Sequence, residues 1–150
     1  MATYRDEILN DVKLIVGSET DFTDEEILRA FAYAVRYSNI YVEHGMTVVD
    51  VDPVSGVELA GDEDMNNTYW LLFIWGAASV LLGGKGLSNV GYRWRSGLAS
   101  IDTSRRATVA ENKHNEAEEK FWEIVNMIVT YGKDIDLYDQ YGLTSRSDLN

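Results

Sequence analysis

The sequence contains no cysteine, one proline (Pro53) and two histidines among its 150 residues. Without cysteine, disulfide bonds, thiolate nucleophiles and cysteine-ligated zinc are excluded. The histidines, His44 and His114, are far apart in the chain and make a poor set for metal binding or nucleophilic catalysis. His44 follows a predicted helix, where a cation would suit the negative end of the dipole. We expect no enzyme activity, no cofactor and no bound metal.

Two glycine-rich or acidic segments resemble ligand-binding loops but fail on spacing. The run Gly83-Gly84-Lys85-Gly86 has Ser79 where a phosphate-binding loop needs glycine, and it follows a helix. The segment that starts at Asp50 has Ser55 where a calcium loop needs glycine, and no acid at its twelfth position. We interpret the first as a helix-ending loop and the second as a turn-forming segment.

No hydrophobic run is long enough to cross a membrane. The longest, residues 70–82, contains thirteen residues, whereas a membrane span needs about 20. This run therefore predicts a buried helix, and we expect no membrane partner. Residues 1–10 are polar and show no apolar signal core, so we also expect no secretory signal.

Positive charge is scarce in this chain. Thirteen Lys and Arg residues stand against 25 Asp and Glu, which gives a formal net charge of −12. An acidic surface repels nucleic-acid phosphates and anionic lipids, so general affinity for either is not expected. The hydrophobic fraction of 45% is enough for the core of one globular domain of this length.

Apolar residues recur at helical spacing in four segments, residues 4–16, 23–45, 62–82 and 102–131. The second segment opens with Thr23 and Glu26, whose spacing predicts a capping box. Alternating spacings of 3 and 4 in the fourth segment predict a heptad seam. Its bulky second half should join the core, and its small first half should lie at an edge or a subunit contact. The seam is formed by Ala107, Ala110, His114, Ala117, Phe121, Ile124 and Ile128.

The remaining segments break the helical period. Residues 46–61 contain β-prone residues around Asp52 and Pro53, which favours a hairpin or a long loop. Residues 90–95 alternate like a strand. We therefore predict a mainly α protein: a four-helix bundle with one or two small β-hairpins or long loops. The bundle should occupy residues 1–133, and an extended C-terminal tail residues 134–150.

The third helix is apolar on every face between Tyr69 and Trp75. Such a helix must be covered on every side, and four short helices rarely achieve that within one chain. We therefore expect part of this helix to be buried by another subunit. The inter-subunit candidates here are Tyr69, Trp70 and Trp75.

Charge is unevenly distributed. Residues 83–113 hold six cations and two acids, net +4, so the rest of the chain carries −16. One interpretation is a nucleic-acid patch. The other, favoured by the overall charge, is a basic edge that meets the acidic body of a neighbouring copy or an acidic partner. The candidate residues are Tyr92, Arg93, Trp94, Arg95, Arg105 and Arg106.

Two segments carry a resemblance to a known family. Gly61-Asp62-Glu63-Asp64 leads into the apolar third helix, and Ser100-Ile101-Asp102-Thr103-Ser104-Arg105-Arg106 leads into the long fourth helix. In this order of elements, residues 4–143 resemble the head-tail connector, or adaptor, proteins of tailed double-stranded DNA bacteriophages. Residues 98–121 are the most specific part of the likeness.

The resemblance implies a subunit of a homo-oligomeric ring, commonly a dodecamer, in the neck of the virion and assembled in the host cytoplasm. Such a ring docks under the portal protein, extends the channel for passing double-stranded DNA without sequence recognition, and carries the stopper or tail protein. The tail of the chain would reach the portal. Its anchors would be Ile135, Leu137, Tyr138, Tyr141 and Leu143.

Two other functions stay open. The first is a DNA-binding packaging subunit, similar to a small terminase, that uses the patch of Arg93, Arg95, Arg105 and Arg106. No convincing helix-turn-helix accompanies this patch. The second is a helical scaffold protein from another system.

Overall fold

In the computed structural model, the described residues are 2–17, 22–83 and 101–135, with the backbone alone for Asp64 and residues 101–111. This part of the chain is mostly helical, as predicted, and it also forms a small antiparallel sheet. The helices are α1 (Asp6–Val16), α2 (Asp24–Ser38), α3 (Asn67–Leu81) and α4 (Ile101–Tyr131). The strands are β1 (Ala2–Tyr4), β2 (Thr47–Asp52) and β3 (Gly56–Ala60), and a 3-10 turn covers Asp62–Asp64.

The sheet has the strand order β1-β3-β2. Strands β2 and β3 form the hairpin that was one of two alternatives for residues 46–61. Asp52 closes its turn, because its Oδ1 accepts the N–H groups of Val54 at 2.7 Å and Ser55 at 3.2 Å. Strand β1 pairs with β3 and was not predicted. Its three residues are too few to show an alternating pattern.

Helix α2 begins as predicted and ends earlier. The Glu26 N–H donates to Thr23 Oγ1 and the Glu26 carboxylate accepts the Thr23 N–H, each at 3.2 Å, which confirms the capping box. The helix ends at Ser38, not near residue 45. Its terminal carbonyls need other donors, and the His44 side chain folds back to donate to the Val35 carbonyl at 2.9 Å.

His44 is therefore not the surface cation that its position suggested. It is 6% exposed, and its Nδ1 accepts the Met46 N–H at 3.0 Å. Because Nδ1 accepts, the ring proton must sit on Nε2, which lies 3.1 Å from Ser38 Oγ as well as close to the Val35 carbonyl. Burial lowers the pKa of His44, although the hydrogen bond to Val35 opposes this. The neutral ring acts as a packed helix cap.

Helix α3 lies at the centre of the described structure and packs against α1, α2 and α4. Gly76 permits the close approach of two of these helices. A Cβ placed there would lie 3.1 Å from the Ala34 side chain on α2 and 3.3 Å from the Phe121 ring on α4. The core therefore requires a very small residue at this crossing.

The expectation that α3 needs a second subunit to cover it is corrected by the structure. Twelve of its 15 residues are buried within this single chain. Tyr69, Trp70 and Trp75 are only 6%, 5% and 9% exposed. The sheet contributes cover that the helices alone would not, since the Tyr4 ring lies 5.4 Å from the Trp70 ring. These aromatic residues are core residues, and their burial supplies no reason to assign them to a subunit interface.

The bulky half of the α4 seam faces the core as predicted. Ala117, Phe121, Ile124 and Ile128 are all buried, between 0% and 7% exposed. Ala107 and Ala110, in the small first half of the seam, have side chains outside the described residues.

Candidate docking surface

Most residues that the sequence nominated for partner contacts are not placed by the described structure. The backbone of Arg105 and Arg106 lies in helix α4, while their side chains are outside the description. Two further groups also lie outside the described residues. They are Tyr92, Arg93, Trp94 and Arg95, and the tail anchors Leu137, Tyr138, Tyr141 and Leu143.

The remaining tail anchor, Ile135, belongs to the folded body. Its side chain is half-buried and packs against the core. Its carbonyl accepts a 2.7 Å hydrogen bond from Thr68 Oγ1, and the Lys133 carbonyl accepts a 2.9 Å bond from Asn66 Nδ2. The predicted boundary at residue 133 therefore falls inside a turn that is fastened to the start of α3. We call this arrangement the α3 clamp; it holds residues 133–135 against the start of α3.

An exposed aromatic strip runs along the outer side of α2. Its residues recur at spacings of three and four, so they share one side of the helix and its C-terminal turn. Exposure reaches 53% for Tyr33, 73% for Ile40 and 41% for Tyr41. We call this strip the tyrosine face. It consists of Arg29, Tyr33, Arg36, Tyr37, Ile40 and Tyr41.

Stacked rings hold the tyrosine face in place. The rings of Tyr33 and Tyr37 lie 5.9 Å apart and are nearly parallel, at 13°. The Tyr37 ring also lies 5.9 Å from Phe121, and the Tyr41 ring lies 4.7 Å from Trp122 at 78°. Since Phe121 is a core residue of α4, the strip is anchored at its centre. Aromatic rings with few rotatable bonds lose little entropy when a partner binds, so this strip is well suited to contacts between proteins.

The tyrosine face is neutral in its centre and basic at its margin. A hydrogen bond with the Tyr41 hydroxyl, 3.4 Å away, together with burial, raises the pKa of Tyr37 to about 12. Arg29 is bound to Glu25 at 2.7 Å. Arg36 is exposed and, within the described part of the chain, forms no ion pair with a carboxylate. The surface therefore offers ring faces, hydroxyl groups and one available guanidinium.

The sequence analysis missed this surface. The helical period over residues 23–45 also predicts that Tyr41 lies on the same side as the buried Phe31 and Val35, whereas the helix ends at Ser38 and Tyr41 is exposed. A second stripe in the same segment, with Tyr33, Tyr37 and Ile40 at helical spacing, was the signal that would have revealed it. Exposed aromatic residues repeated along one side of a helix indicate a contact surface.

The rest of the described surface has few features of an active site. A shallow cleft of about 170 Å³ lies between Tyr4, Glu7, Met65 and Trp70. Across the described ranges, no group of three or more His, Asp or Glu residues is arranged to hold a metal ion. No helix within those ranges combines the length and the apolar character that a membrane span requires.

The chain was compared with protein-family models, with curated proteins and with solved structures. The chain matches no protein-family model, no curated protein and no solved structure at significant similarity.

Proposed function

We propose that this protein is a structural subunit of a bacteriophage head-tail connector ring. In this role it is not an enzyme; it docks under the portal, extends the DNA channel and provides the platform for the stopper or tail. The resemblance of residues 98–121 to the connector family motivates the proposal. The structural observation that carries it is the tyrosine face, an exposed aromatic strip on a chain that already covers its own core.

A ring requires two different surfaces on each subunit, since each copy meets the next head to tail. In this proposal the four helices act as a compact bundle, and the tyrosine face forms one side of the contact between copies. The opposite side would be supplied by the basic segment 83–113 or by the acidic body. An acidic channel wall would let DNA pass, because few phosphates would be neutralised.

The tail is the proposed portal-binding element. Its body-proximal residues are held in the α3 clamp, so we place the portal anchors beyond Ile135, at Leu137, Tyr138, Tyr141 and Leu143. The clamp would orient this segment with respect to the helices. Four apolar anchors within seven residues are enough to fill successive pockets on a partner.

The test is reconstitution with a portal protein from the same genome. The full-length protein and a variant that lacks residues 136–150 would each be mixed with portal rings and imaged by electron microscopy. We expect a second ring under the portal with the full-length protein and none with the variant. The variant should retain its helical circular dichroism, because the truncation leaves all four helices and the α3 clamp in place.

A point substitution separates the two contacts. Tyr33→Asp should weaken ring closure, since a charge would replace an exposed aromatic ring at the proposed contact between copies, while single copies should still attach to the portal. Leu14→Asp, at a residue of α1 with nearly equal exposure (52% against 53%), is the matched control. A full-length protein that never binds the portal would refute the proposal.

The competing packaging-subunit function makes a different prediction. It depends on Arg93, Arg95, Arg105 and Arg106, which belong to the segment of net charge +4. It predicts DNA binding that weakens with rising salt and is lost when these arginines are replaced by alanine. Absence of DNA binding at low salt would eliminate this alternative and leave the connector proposal intact.

A further inference from the structure

The tyrosine face is an exposed aromatic strip on the described surface. Tyr33 and Ile40 expose more than half of their surfaces. Contiguous apolar strips of this kind usually meet a partner. Arg36, the exposed cation beside them, favours a partner segment that carries negative charge as well as apolar side chains.

The apolar strip continues from α2 towards the end of α4. Trp122, which contacts Tyr41, and Val129 are seven residues apart on α4, with Asn126 between them at helical spacing. Val129 is 68% exposed and Trp122 is half-buried. Partly exposed side chains, apolar at Trp122 and Val129 and polar at Asn126, therefore lead from the tyrosine face to the end of the helix from which the chain passes into the α3 clamp.

The tail is long enough to follow this path. Ile135 is bonded to Thr68 in the first turn of α3, while the crossing with Phe121 lies at Gly76. Eight helical residues correspond to roughly 12 Å along the axis. Residues 136–143 number eight, and an extended chain of that length spans up to about 28 Å. The strip lies well within reach.

The composition of the tail matches the surface. Residues 136–143 read Asp-Leu-Tyr-Asp-Gln-Tyr-Gly-Leu, with four apolar or aromatic side chains, two acids and no cation. We infer that, in the free protein, this segment lies along the tyrosine face of its own chain, with its aromatic and leucine side chains on the rings and its acids near Arg36. The inference does not depend on which partner the protein later binds.

The absence of cysteine permits a direct test on the full-length chain. Ser145→Cys introduces one thiol just beyond the segment for a nitroxide spin label. In a ¹⁵N-labelled sample, the amide signals of Tyr33, Arg36 and Tyr37 should broaden, whereas those around Leu14 on α1 should not. Reduction of the nitroxide should restore the signals.

A mixed sample distinguishes the source of the segment. Spin-labelled chains without ¹⁵N are combined with ¹⁵N chains without the label, so broadening reports only contact between copies. Broadening in the first sample and none in the mixture is the expected result. Broadening of α2 in the mixture at equal strength would show that a second copy supplies the segment, and unchanged α2 signals in the first sample would show that the face is empty. Either result overturns the inference.

Matched substitutions test whether the rings and the cation hold the segment. Tyr33→Ser combined with Arg36→Glu should at least halve the broadening at Tyr37, because it removes a ring and reverses the charge. Leu14→Ser, at a residue about as exposed as Tyr33 (52% against 53%), should leave the broadening unchanged. All three positions are exposed, so the dispersed amide spectrum should persist. Equal broadening in both variants would also overturn the inference.

Discussion

Trp70 Nε1–H donates a 2.7 Å hydrogen bond to Oδ2 of Asp11, and this bond joins α3 to α1 inside the core. Asp11 is 2% exposed and Trp70 is 5% exposed. A buried carboxylate is costly unless donors surround it. The indole is thus both a core side chain and one of the groups that make the buried acid tolerable.

The first prediction removes this donor and keeps an aromatic ring. Trp70→Phe should lower the free energy of unfolding by about 1–3 kcal/mol, because the buried carboxylate loses a hydrogen bond. Urea unfolding followed by circular dichroism provides the measurement. Trp122→Phe is the matched control, since Trp122 is half-buried and packs mainly against Tyr41 and Phe121. A loss at Trp122 as large as that at Trp70 would contradict the role of the hydrogen bond.

The second prediction concerns acid stability and His44. Its pKa in the folded protein is lowered from the ordinary value of 6.5, mainly by burial. The unfolded chain therefore binds the proton first, and stability is lost as the pH falls through about 6.5, until the folded-state pKa is reached. Protonation of Nδ1 would also place a donor against the Met46 N–H.

Thermal unfolding between pH 8 and pH 5 would measure this dependence. His44→Gln should flatten the pH dependence of the free energy of unfolding in that range. His114→Gln should retain it, although His114 also contacts a backbone carbonyl, that of Ser79 at 3.1 Å. If the free energy of unfolding depended equally on pH in the two variants, His44 would not be the group that causes the loss of stability in acid.

The third prediction compares two glycines with positive φ. Gly56, at φ 108°, starts β3, and a Cβ there would collide with the Tyr4 carbonyl oxygen at the end of β1. Gly45, at φ 75°, has open space around it. Gly45→Ala should cost about 1–2 kcal/mol from the backbone conformation alone. Gly56→Ala should cost about 1–3 kcal/mol more, because β1 must move away.

Chemical denaturation of the two variants tests the comparison. Amide exchange of Thr3 and Tyr4 should accelerate only in Gly56→Ala, since only that substitution disturbs the pairing of β1 with β3. Equal destabilisation by both substitutions would show that β1 contributes little to the fold.

The fourth prediction tests the α3 clamp with an isosteric change. Asn66 caps α3 by accepting the Tyr69 N–H at 2.9 Å, and its amide nitrogen donates to the Lys133 carbonyl. Asn66→Asp keeps the cap, because aspartate is an equally good N-cap. It loses the donor, so cleavage by trypsin after Lys133 should become about 2- to 12-fold faster, which corresponds to a loss of 0.5–1.5 kcal/mol.

Mass spectrometry of the cleavage products reports on each bond separately. Cleavage after Lys120, inside α4, serves as the internal control and should not change. A parallel rise at both lysines would indicate general destabilisation and would contradict a local clamp.

Much of the helical structure could be read from local patterns. The capping box of Thr23 and Glu26 was visible because its residues lie three apart, and both partners are in the same turn. The buried half of the α4 seam was visible because its spacing follows the helical repeat. For residues 46–61 the sequence predicted either a hairpin or a long loop. Turn-forming residues occur in both, so they could not distinguish the two.

The contacts that link distant segments were not visible in the same way. Nothing local to Trp70 shows that Tyr4 and Asp11 will complete its surroundings, so α3 appeared to need a second subunit. Nothing local to Ile135 shows that Thr68 will bind its carbonyl. The early end of α2 depends on His44, whose burial followed from packing and not from its neighbours in the chain. A helical period depends on residues within one or two turns of each other, so it can be recognised in the sequence. The burial of a core helix and the capping of a helix end by a distant side chain arise only when the chain folds back on itself.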